Sequence, residues 1–258
     1  MTIELQKRIL DYWNTQPCNV GHSSAPIGSE QYFTEVTDKR YRAEPHILDF
    51  AGFHQWRGKR VLEIGCGIGT DAEQFARHGA EYVGIDLSDA SLDLCKQRFS
   101  VYNLDGEFHH IDITDDKVSD LGQFDLVYSY GVLHHYPGMQ DHIKTVSTLL
   151  SPGGEFRFMV YAKNSWKYAM IRKGLDQFEA QANCPYAEAY TAEEIHELIK
   201  DEFELLRLRQ SHCFMYNVDK YKQGIFELEP WFEAMPELMR EAVKEYLGWH
   251  LLVKARKL

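Results

Sequence analysis

The chain has 258 residues, with 28 Lys and Arg against 39 Asp and Glu, which gives a formal charge of −11. Apolar residues make up 44% and charged residues 26%, a globular composition that excludes a disordered chain. The acidic balance argues against nucleic acid or an anionic membrane as the main partner, because both are usually bound by a basic face.

No apolar run approaches the roughly 18 residues of a membrane-spanning helix, and residues 1–16 carry charge throughout without an apolar signal core. None of the five cysteines forms a C-x-x-C pair, which argues against a disulfide framework or a zinc ribbon. We therefore expect a reduced, cytoplasmic protein, monomer or homodimer, that binds neither nucleic acid nor a membrane.

The N-terminal flank, residues 1–55, is predicted to be a helical lid. An amphipathic helix is expected over residues 3–13, followed by a loop over 17–30 and a further helical stretch that runs through Arg40 and Tyr41. The flank lacks the strand and helix alternation that follows it, so we interpret it as a cap on the core and not as an independent domain.

The core, residues 56–161, alternates short apolar runs with helical patterns. Strands are predicted over residues 59–65, 80–88, 107–113, 124–130 and 154–161. Helices are predicted over residues 71–79, 91–99 and 142–150, and the turn S-P-G-G at 151–154 closes the last of them. Strands that alternate with helices form a parallel sheet with helices on both faces, so this segment is predicted to be α/β.

The C-terminal part, residues 162–258, is predicted to complete the sheet and to add cap insertions. Residues 162–200 have a helical pattern with a capping box, T-A-E-E, at 191–194. Two late strands are predicted, over residues 203–210 and 249–257, with a helical insertion between them. We therefore expect residues 1–258 to form a single domain.

Three glycines mark the place where a ligand could approach the backbone. Gly65, Gly67 and Gly69 lie where the first strand turns into a helix, and there the chain must bend sharply. The acidic residue Glu63 precedes the first glycine by two positions. Asp86 ends the second strand, where a carboxylate can accept hydrogen bonds from both hydroxyls of a ribose.

Over residues 59–161 the chain resembles the class I S-adenosylmethionine-dependent methyltransferases, and is most similar to the small-molecule group that includes ubiquinone and menaquinone methyltransferases. The motifs come in order: E-x-G-x-G-x-G at 63–69, G-I-D-L-S at 84–88, H-I-D-I at 110–113, F-D-L-V-Y-S-Y-G-V-L-H-H at 124–135 and L-L-S-P-G-G-E-F at 149–156. The resemblance implies a Rossmann-like, doubly wound sheet of seven strands, mostly parallel with an antiparallel last strand, under a helical cap.

The resemblance also implies S-adenosylmethionine as cofactor and S-adenosylhomocysteine as product. Glu63 would organise the ammonium end of the cofactor, Asp86 would hold its ribose, and Arg40 would pair with its carboxylate. Tyr12, Trp13 and Tyr41 would shield the sulfonium or the acceptor, since cations favour aromatic faces. The full set of implied cofactor-binding residues is Tyr12, Arg40, Glu63, Gly65, Cys66, Gly67, Gly69, Asp86, Leu87, Asp112, Ile113 and Tyr130.

A base is needed if the acceptor must lose a proton. His135 is our first candidate because related enzymes often place an active-site histidine just past the fourth strand. Tyr161 and Lys163, just after the fifth strand, are the next candidates. His134 is expected to point back to the core or to the start of the following helix. We predict no metal site, because the adjacent histidines at 109 and 110 would point to opposite faces of a strand.

The predicted function is in-line transfer of a methyl group to O, N or C of a small-molecule acceptor. Three alternatives stay open. A nicotinamide oxidoreductase would require a glycine at position 70, which holds Thr70. A noncatalytic protein could bind the cofactor without turnover, and an enzyme could instead transfer or cyclise the aminocarboxypropyl arm of the cofactor.

Overall fold

Eight strands form one sheet in the computed structural model, which describes residues 3–176, 184–213, 215–223, 225 and 227–258. The strands are β1 Arg60–Ile64, β2 Glu81–Asp86, β3 Glu107–His110, β4 Phe124–Tyr130, β5 Leu150–Ala162, β6 Ala189–Tyr190, β7 Phe203–Ser211 and β8 His250–Lys257. Their order is β3-β2-β1-β4-β5-β8-β7, and the two-residue β6 pairs with β5 beside this path.

The strand directions agree with the predicted sheet. The pairs β1–β2, β1–β4, β2–β3, β4–β5 and β5–β6 are parallel, whereas β8 runs antiparallel to both β5 and β7. The α/β class and the doubly wound sheet of seven long strands with an antiparallel last strand are therefore confirmed. The short β6 is an addition that the sequence did not predict.

Helices lie before, between and after the strands. In chain order they are α1 Ile3–Thr15, α2 Glu30–Ala43, α3 His46–Ala51, α4 Thr70–Arg77, α5 Asp89–Val101, α6 Met139–Leu149, α7 Trp166–Arg172, α8 Ala192–Ile199, α9 Val218–Tyr221, α10 Pro230–Glu233 and α11 Glu237–Leu247. Within the described ranges, no helix is both long and apolar enough to cross a membrane.

Local side-chain caps explain several helix starts. Ser29 accepts a hydrogen bond from the backbone of Tyr32 at the start of α2, and Ser88 accepts one from Ser91 at the start of α5. At α8 the predicted capping box is present, with the Thr191 side chain bound to the backbone of Glu194 and the reverse bond also made. Such caps satisfy backbone N–H groups that have no partner inside the helix.

Two local expectations differ from the structure. The helical pattern over 162–200 is interrupted by β6, and residues 177–183 lie outside the described residues. The S-P-G-G turn does not separate α6 from β5 but forms an irregularity inside β5. Phe124 pairs with Leu150 and Leu126 with Glu155, so the four residues of the turn loop out, with Gly153 at φ +73°.

The sheet is buried on both faces, as expected for parallel strands covered by helices. Val61 and Leu62 of β1 point to opposite sides because side chains alternate along a strand. Leu62 packs with Ile143 of α6 in one core, and Val61 packs with Phe75 of α4 in the other. This arrangement leaves the carboxyl ends of β1, β2, β4 and β5 together at one edge, where the helical flanks cover them.

Candidate active site

A cavity of about 610 Å³ lies at this edge of the sheet. The turn after β1, the residues that follow β2 and β4, and the end of β5 form its floor. Trp13 of α1 and Arg40 of α2 line it from the N-terminal flank, and Trp249 and His250 line it from the C-terminal part. Its volume is in the range of small-molecule sites, which are commonly about 300–1,000 Å³.

The glycine turn brings bare backbone to the cavity wall. Gly65 has φ +73°, and a Cβ there would meet the Val132 side chain at 2.4 Å. Gly67 has φ +53°, but a Cβ there would meet no atom within 4 Å, because the backbone borders open space. The first glycine is thus required by packing, whereas the second leaves room that a ligand could take.

Asp86 is held at the end of β2 by backbone donors. One carboxylate oxygen accepts from the Gly67 N–H at 2.8 Å, and the other accepts from the Ser88 N–H at 2.9 Å. Burial raises the pKa of Asp86, and these backbone hydrogen bonds oppose the rise. A carboxylate accepts about four hydrogen bonds, so Asp86 retains capacity for a ligand hydroxyl.

Glu63 lies in a buried acidic group beneath the turn. Tyr82 donates a hydrogen bond to Glu63 at 2.7 Å. Burial raises the pKa of Glu63 well above its usual range, and the charge of Asp71 raises it further. Asp71 in turn accepts hydrogen bonds from Tyr41 and Tyr128, both at 2.9 Å. The group offers a site for a cationic ligand group, since such a charge favours ionised Glu63.

The Arg40 side chain lies mostly inside this region, with 11% of its surface exposed. Its guanidinium lies 3.6 Å from Asp71 and 3.8 Å from Glu44, and it covers the Tyr130 ring at 5.1 Å. Burial by itself would raise the pKa of Glu44, but Arg40 and nearby imidazoles reverse the effect and hold that pKa below its usual value. Neither carboxylate partner of Arg40 was a predicted site residue. Of these two carboxylates, Asp71 had the stronger signal in the sequence, because it lies next to Thr70 at the end of the glycine motif.

The predicted cofactor-binding residues divide into two groups. Those that line the cavity are Arg40, Glu63, Gly65, Cys66, Gly67, Asp86, Leu87, Ile113 and Tyr130. Gly69, Asp112 and Tyr12 do not belong to this lining. A Cβ on Gly69 would meet the sulfur of Cys95 at 2.6 Å, so this glycine permits close packing of α4 on α5.

Asp112 and Tyr12 lie outside the cavity for different reasons. Asp112 caps a turn by accepting from the Thr114 backbone at 2.8 Å. Tyr12 faces a separate surface depression with Arg8 and Pro185. It is Trp13, the next residue on α1, that lines the cavity, because neighbouring residues of a helix point about 100° apart.

The two candidate bases lie side by side at the cavity wall. The His135 ring is 5.1 Å from Trp13 and 5.7 Å from Tyr161, both edge to face. Its Nδ1 lies 2.9 Å from the Tyr186 carbonyl oxygen. A carbonyl only accepts, so Nδ1 carries the proton and Nε2 carries the lone pair.

Below these residues, His134 points into the core, one of the two directions expected from the sequence. It is fully buried with its ring centroid 3.9 Å from that of Tyr161, and burial lowers the pKa of His134 well below its usual range. Tyr161 stacks on Trp249 with 4.1 Å between ring centroids. Tyr161 and Trp249 both line the cavity and give it an aromatic wall.

Sequence reasoning missed much of the cap side of the cavity. The lining residues there that no motif marked include Glu44, His212, Cys213, Tyr216, Trp249 and His250. They come from the end of α2 and the residue that follows it, the segment after β7 and the residues around the start of β8, and no local spacing connects these segments. A histidine-rich composition, with 12 in the chain, was the one available signal.

Comparison with known proteins is consistent with this geometry. Residues 62–156 match a family model described as a methyltransferase domain. Ubiquinone biosynthesis O-methyltransferase of Acinetobacter baylyi is 34% identical over 119 residues, which cover 44% of this chain and 49% of that protein. The Coxiella burnetii enzyme of the same name is 33% identical over 112 residues, covering 43% and 47%. The chain thus spans about half the length of the curated relatives it matches.

Solved structures match over a longer range at lower identity. Magnesium protoporphyrin IX methyltransferase from Synechocystis, with S-adenosylhomocysteine bound, has a TM-score of 0.64 at 15% identity and covers 98% of this chain and 100% of that one. Geranyl diphosphate C-methyltransferase from Streptomyces coelicolor has a TM-score of 0.63 at 15% identity, with 100% of both chains covered. Residues 62–156 of this chain thus match a methyltransferase domain, and its fold is similar to that of solved methyltransferases.

Proposed function

We propose that this protein transfers the methyl group of S-adenosylmethionine to an O, N or C atom of a small-molecule acceptor. The observation that carries the proposal is the wall of the cavity in which the open backbone at Gly67 lies next to the Asp86 carboxylate. That pairing suits a ribose, whose hydroxyls need an acceptor and close approach to backbone.

The other residues around this wall support the same cofactor. Leu87 and Ile113 provide apolar surface that an adenine ring could contact. Thr70 has a buried hydroxyl with no hydrogen-bond partner among the described residues, and it lines the cavity. A buried polar atom without a hydrogen-bond partner is rare because it costs free energy, and a ligand that bonds to the Thr70 hydroxyl would remove that cost. Glu63 and Asp71 would favour the cationic amino end.

The cofactor would supply an activated methyl group, and the protein's share of catalysis is mostly positioning. Holding two reactants in line can contribute about 7–11 kcal/mol through effective molarity. Trp13, Tyr161 and Trp249 line the cavity with apolar rings, which would exclude water from the reacting groups. His135, with its lone pair on Nε2, would accept a proton from an acceptor hydroxyl or amine, and Tyr161 would position it.

The acceptor is proposed to be small because the flanks enclose the cavity. The name of the Acinetobacter and Coxiella relatives makes O-methylation the first chemistry to test. A cytoplasmic location, predicted from the cysteine pattern, and a monomeric or homodimeric state belong to the same proposal.

The first test is titration of the purified protein with S-adenosylhomocysteine by calorimetry. Asp86→Asn should weaken binding about 10- to 100-fold, since hydrogen bonds to a charged group contribute about 1.5–3 kcal/mol. Asp93→Asn, an exposed change on α5, is the matched control and should bind as the wild type does. Wild-type protein that fails to bind, or Asp86→Asn that binds normally, would contradict the cofactor site.

The second test identifies the reaction. The protein is incubated with cofactor and a fractionated metabolite extract, and both nucleoside products are measured. Methyl transfer yields S-adenosylhomocysteine and an acceptor heavier by one CH₂. Methylthioadenosine as the nucleoside product would instead establish chemistry on the aminocarboxypropyl arm, and binding without any product would favour the noncatalytic alternative.

A further inference from the structure

A compact group of nitrogen and oxygen ligands lies at the cap end of the cavity. Among the residues that the structure describes, Glu44, His46 and His250 form a group whose ligand atoms all lie within 4.8 Å of one another. The Tyr130 hydroxyl lies in contact with all three side chains. The motifs of the core do not account for this group, and three of the four side chains come from the flanks.

The distances within this group have the size of a metal coordination shell. His46 Nε2 is 2.8 Å from the Tyr130 hydroxyl and 3.1 Å from His250 Nδ1. The Tyr130 hydroxyl is 2.9 Å from both His250 Nδ1 and Glu44 Oε2, and the last two atoms are 3.6 Å apart. Four ligands at about 2.0–2.1 Å from a tetrahedral zinc ion lie about 3.3 Å from one another, close to these values.

Hydrogen bonds alone do not satisfy the four shortest contacts. Glu44 forms an ion pair with Arg40 at 3.8 Å, so its carboxylate accepts and the single Tyr130 proton is directed to it. The Tyr130 oxygen then needs N–H donors from both His46 Nε2 and His250 Nδ1. If both nitrogens carry a proton, they oppose each other at 3.1 Å, and if one does not, its lone pair faces the Tyr130 oxygen. One contact stays repulsive in every arrangement.

A divalent cation among the four atoms removes this conflict, because every ligand then presents a lone pair to the same charge. The local charge balance also favours a bound cation, since Glu44 and Asp71 together carry one more negative charge than Arg40 neutralises. Glu44, Tyr130 and His250 line the cavity, so an ion can enter from solvent. The stack of His212 on His250, at 4.5 Å, covers the group on the cap side.

We propose that Glu44, His46, His250 and the Tyr130 oxygen bind one divalent transition-metal ion of the zinc type at the cap end of the cavity. Two imidazole nitrogens and two oxygens suit zinc or cobalt better than magnesium or calcium, which prefer all-oxygen shells. Binding through the Tyr130 oxygen replaces the hydroxyl proton by the metal and releases that proton to solvent. This departs from the prediction, made on the sequence, of no metal site.

The test uses tag-free, full-length protein that has been dialysed against chelator and then titrated with Zn²⁺ alone by calorimetry. We expect saturable binding of one Zn²⁺ per chain. Glu44→Gln keeps the shape of the side chain and His46→Gln changes a half-buried one, and each should weaken binding at least 100-fold. His142→Gln, a buried histidine that borders the same cavity, is the control and should bind within threefold of the wild type.

Absence of one-to-one binding, or variants at Glu44 and His46 that bind as the wild type does, would overturn the proposal. A second measurement on the wild type does not depend on how the variants fold. Co²⁺ in the site should give the visible absorption of a four-coordinate ion, and a six-coordinate spectrum would overturn the proposed ligand set.

The metal site and the cofactor site can be refuted independently of each other. The same samples are titrated with S-adenosylhomocysteine. Loss of Zn²⁺ binding with cofactor binding intact would establish the two sites as separate, as we expect for His46→Gln, because His46 does not line the cavity. Wild-type protein that binds Zn²⁺ but not S-adenosylhomocysteine would support the metal site and overturn the proposed function.

Discussion

The two ends of the cavity are built from different kinds of sequence. The cofactor end uses neighbouring strands of one continuous core, with Glu63, Gly67 and Asp86 only 23 positions apart from first to last. The cap end joins His46 to His250 across 204 positions. A local turn requires particular residues at fixed positions along the chain, whereas a site formed by distant segments requires no fixed spacing between its residues. A local sequence motif therefore identifies only one end of the cavity.

The largest difference between the ends should appear in stability. Trp249 is buried against Tyr161 at the cap end, and Trp249→Ala should lower the free energy of unfolding by about 3–5 kcal/mol because it leaves a cavity. Binding of S-adenosylhomocysteine to the folded fraction should change by less than threefold. Denaturant unfolding measures the first effect, with Trp231→Ala, an exposed residue, as control. Equal losses in both variants would refute the assigned role of the stack.

The next effect should be confined to the cofactor end. Gly67→Ala adds a methyl group at the cavity wall and should weaken S-adenosylhomocysteine binding at least 100-fold, about 2.7 kcal/mol. Gly58→Ala is a close match, because Gly58 has φ +66° against +53°, and a methyl carbon added there would also meet no atom within 4 Å. Both variants should lose similar stability, and only the first should lose affinity. If Gly58→Ala also loses affinity, backbone strain and not ligand contact explains the result.

Between the ends, the buried His134 should make stability depend on pH. Burial keeps its folded-state pKa well below 6.5, so the unfolded chain binds the extra proton as the pH falls. Stability is therefore fully present above about pH 6.5 and decreases below it, by at most about 1.4 kcal/mol per pH unit for this residue. His134→Phe should reduce that slope in unfolding experiments between pH 7 and 5. The exposed substitution His54→Gln should not, and an unchanged slope in His134→Phe would argue against the assignment.

The smallest effect separates two neighbours on α1. Trp13 lines the cavity and Tyr12 does not, so Trp13→Ala should weaken S-adenosylhomocysteine binding about fivefold, roughly 1 kcal/mol. Tyr12→Ala should change it by less than twofold. The reverse order would restore the role that the sequence resemblance implied for Tyr12 and would mean that the lid closes differently when ligand is bound.

The sequence by itself determined the α/β fold class and the identity of the glycine turn, which follow from period and turn residues, properties of neighbouring positions. The sheet with its antiparallel last strand was implied by the family resemblance that the order of the motifs carries. The sequence also located Asp86 at a strand end, since the carboxyl ends of parallel strands meet at one edge. It could not decide between Tyr12 and Trp13, because an error of one position in helix phase exchanges which side chain faces inward.

The tertiary structure alone decided which distant residues meet at the site. Arg40 meets Asp71 because α2 packs across the start of α4, and nothing in the segment around Arg40 specifies that contact. Its contact with Glu44, in contrast, joins positions i and i+4 of one segment. The same packing brings Glu44 and His46 to Tyr130 and His250, which no spacing rule connects. Turns, caps and strand ends depend on residues that are close in sequence, so a short stretch of sequence predicts them. Contacts between distant segments arise only when burial of the apolar cores sets how the segments pack.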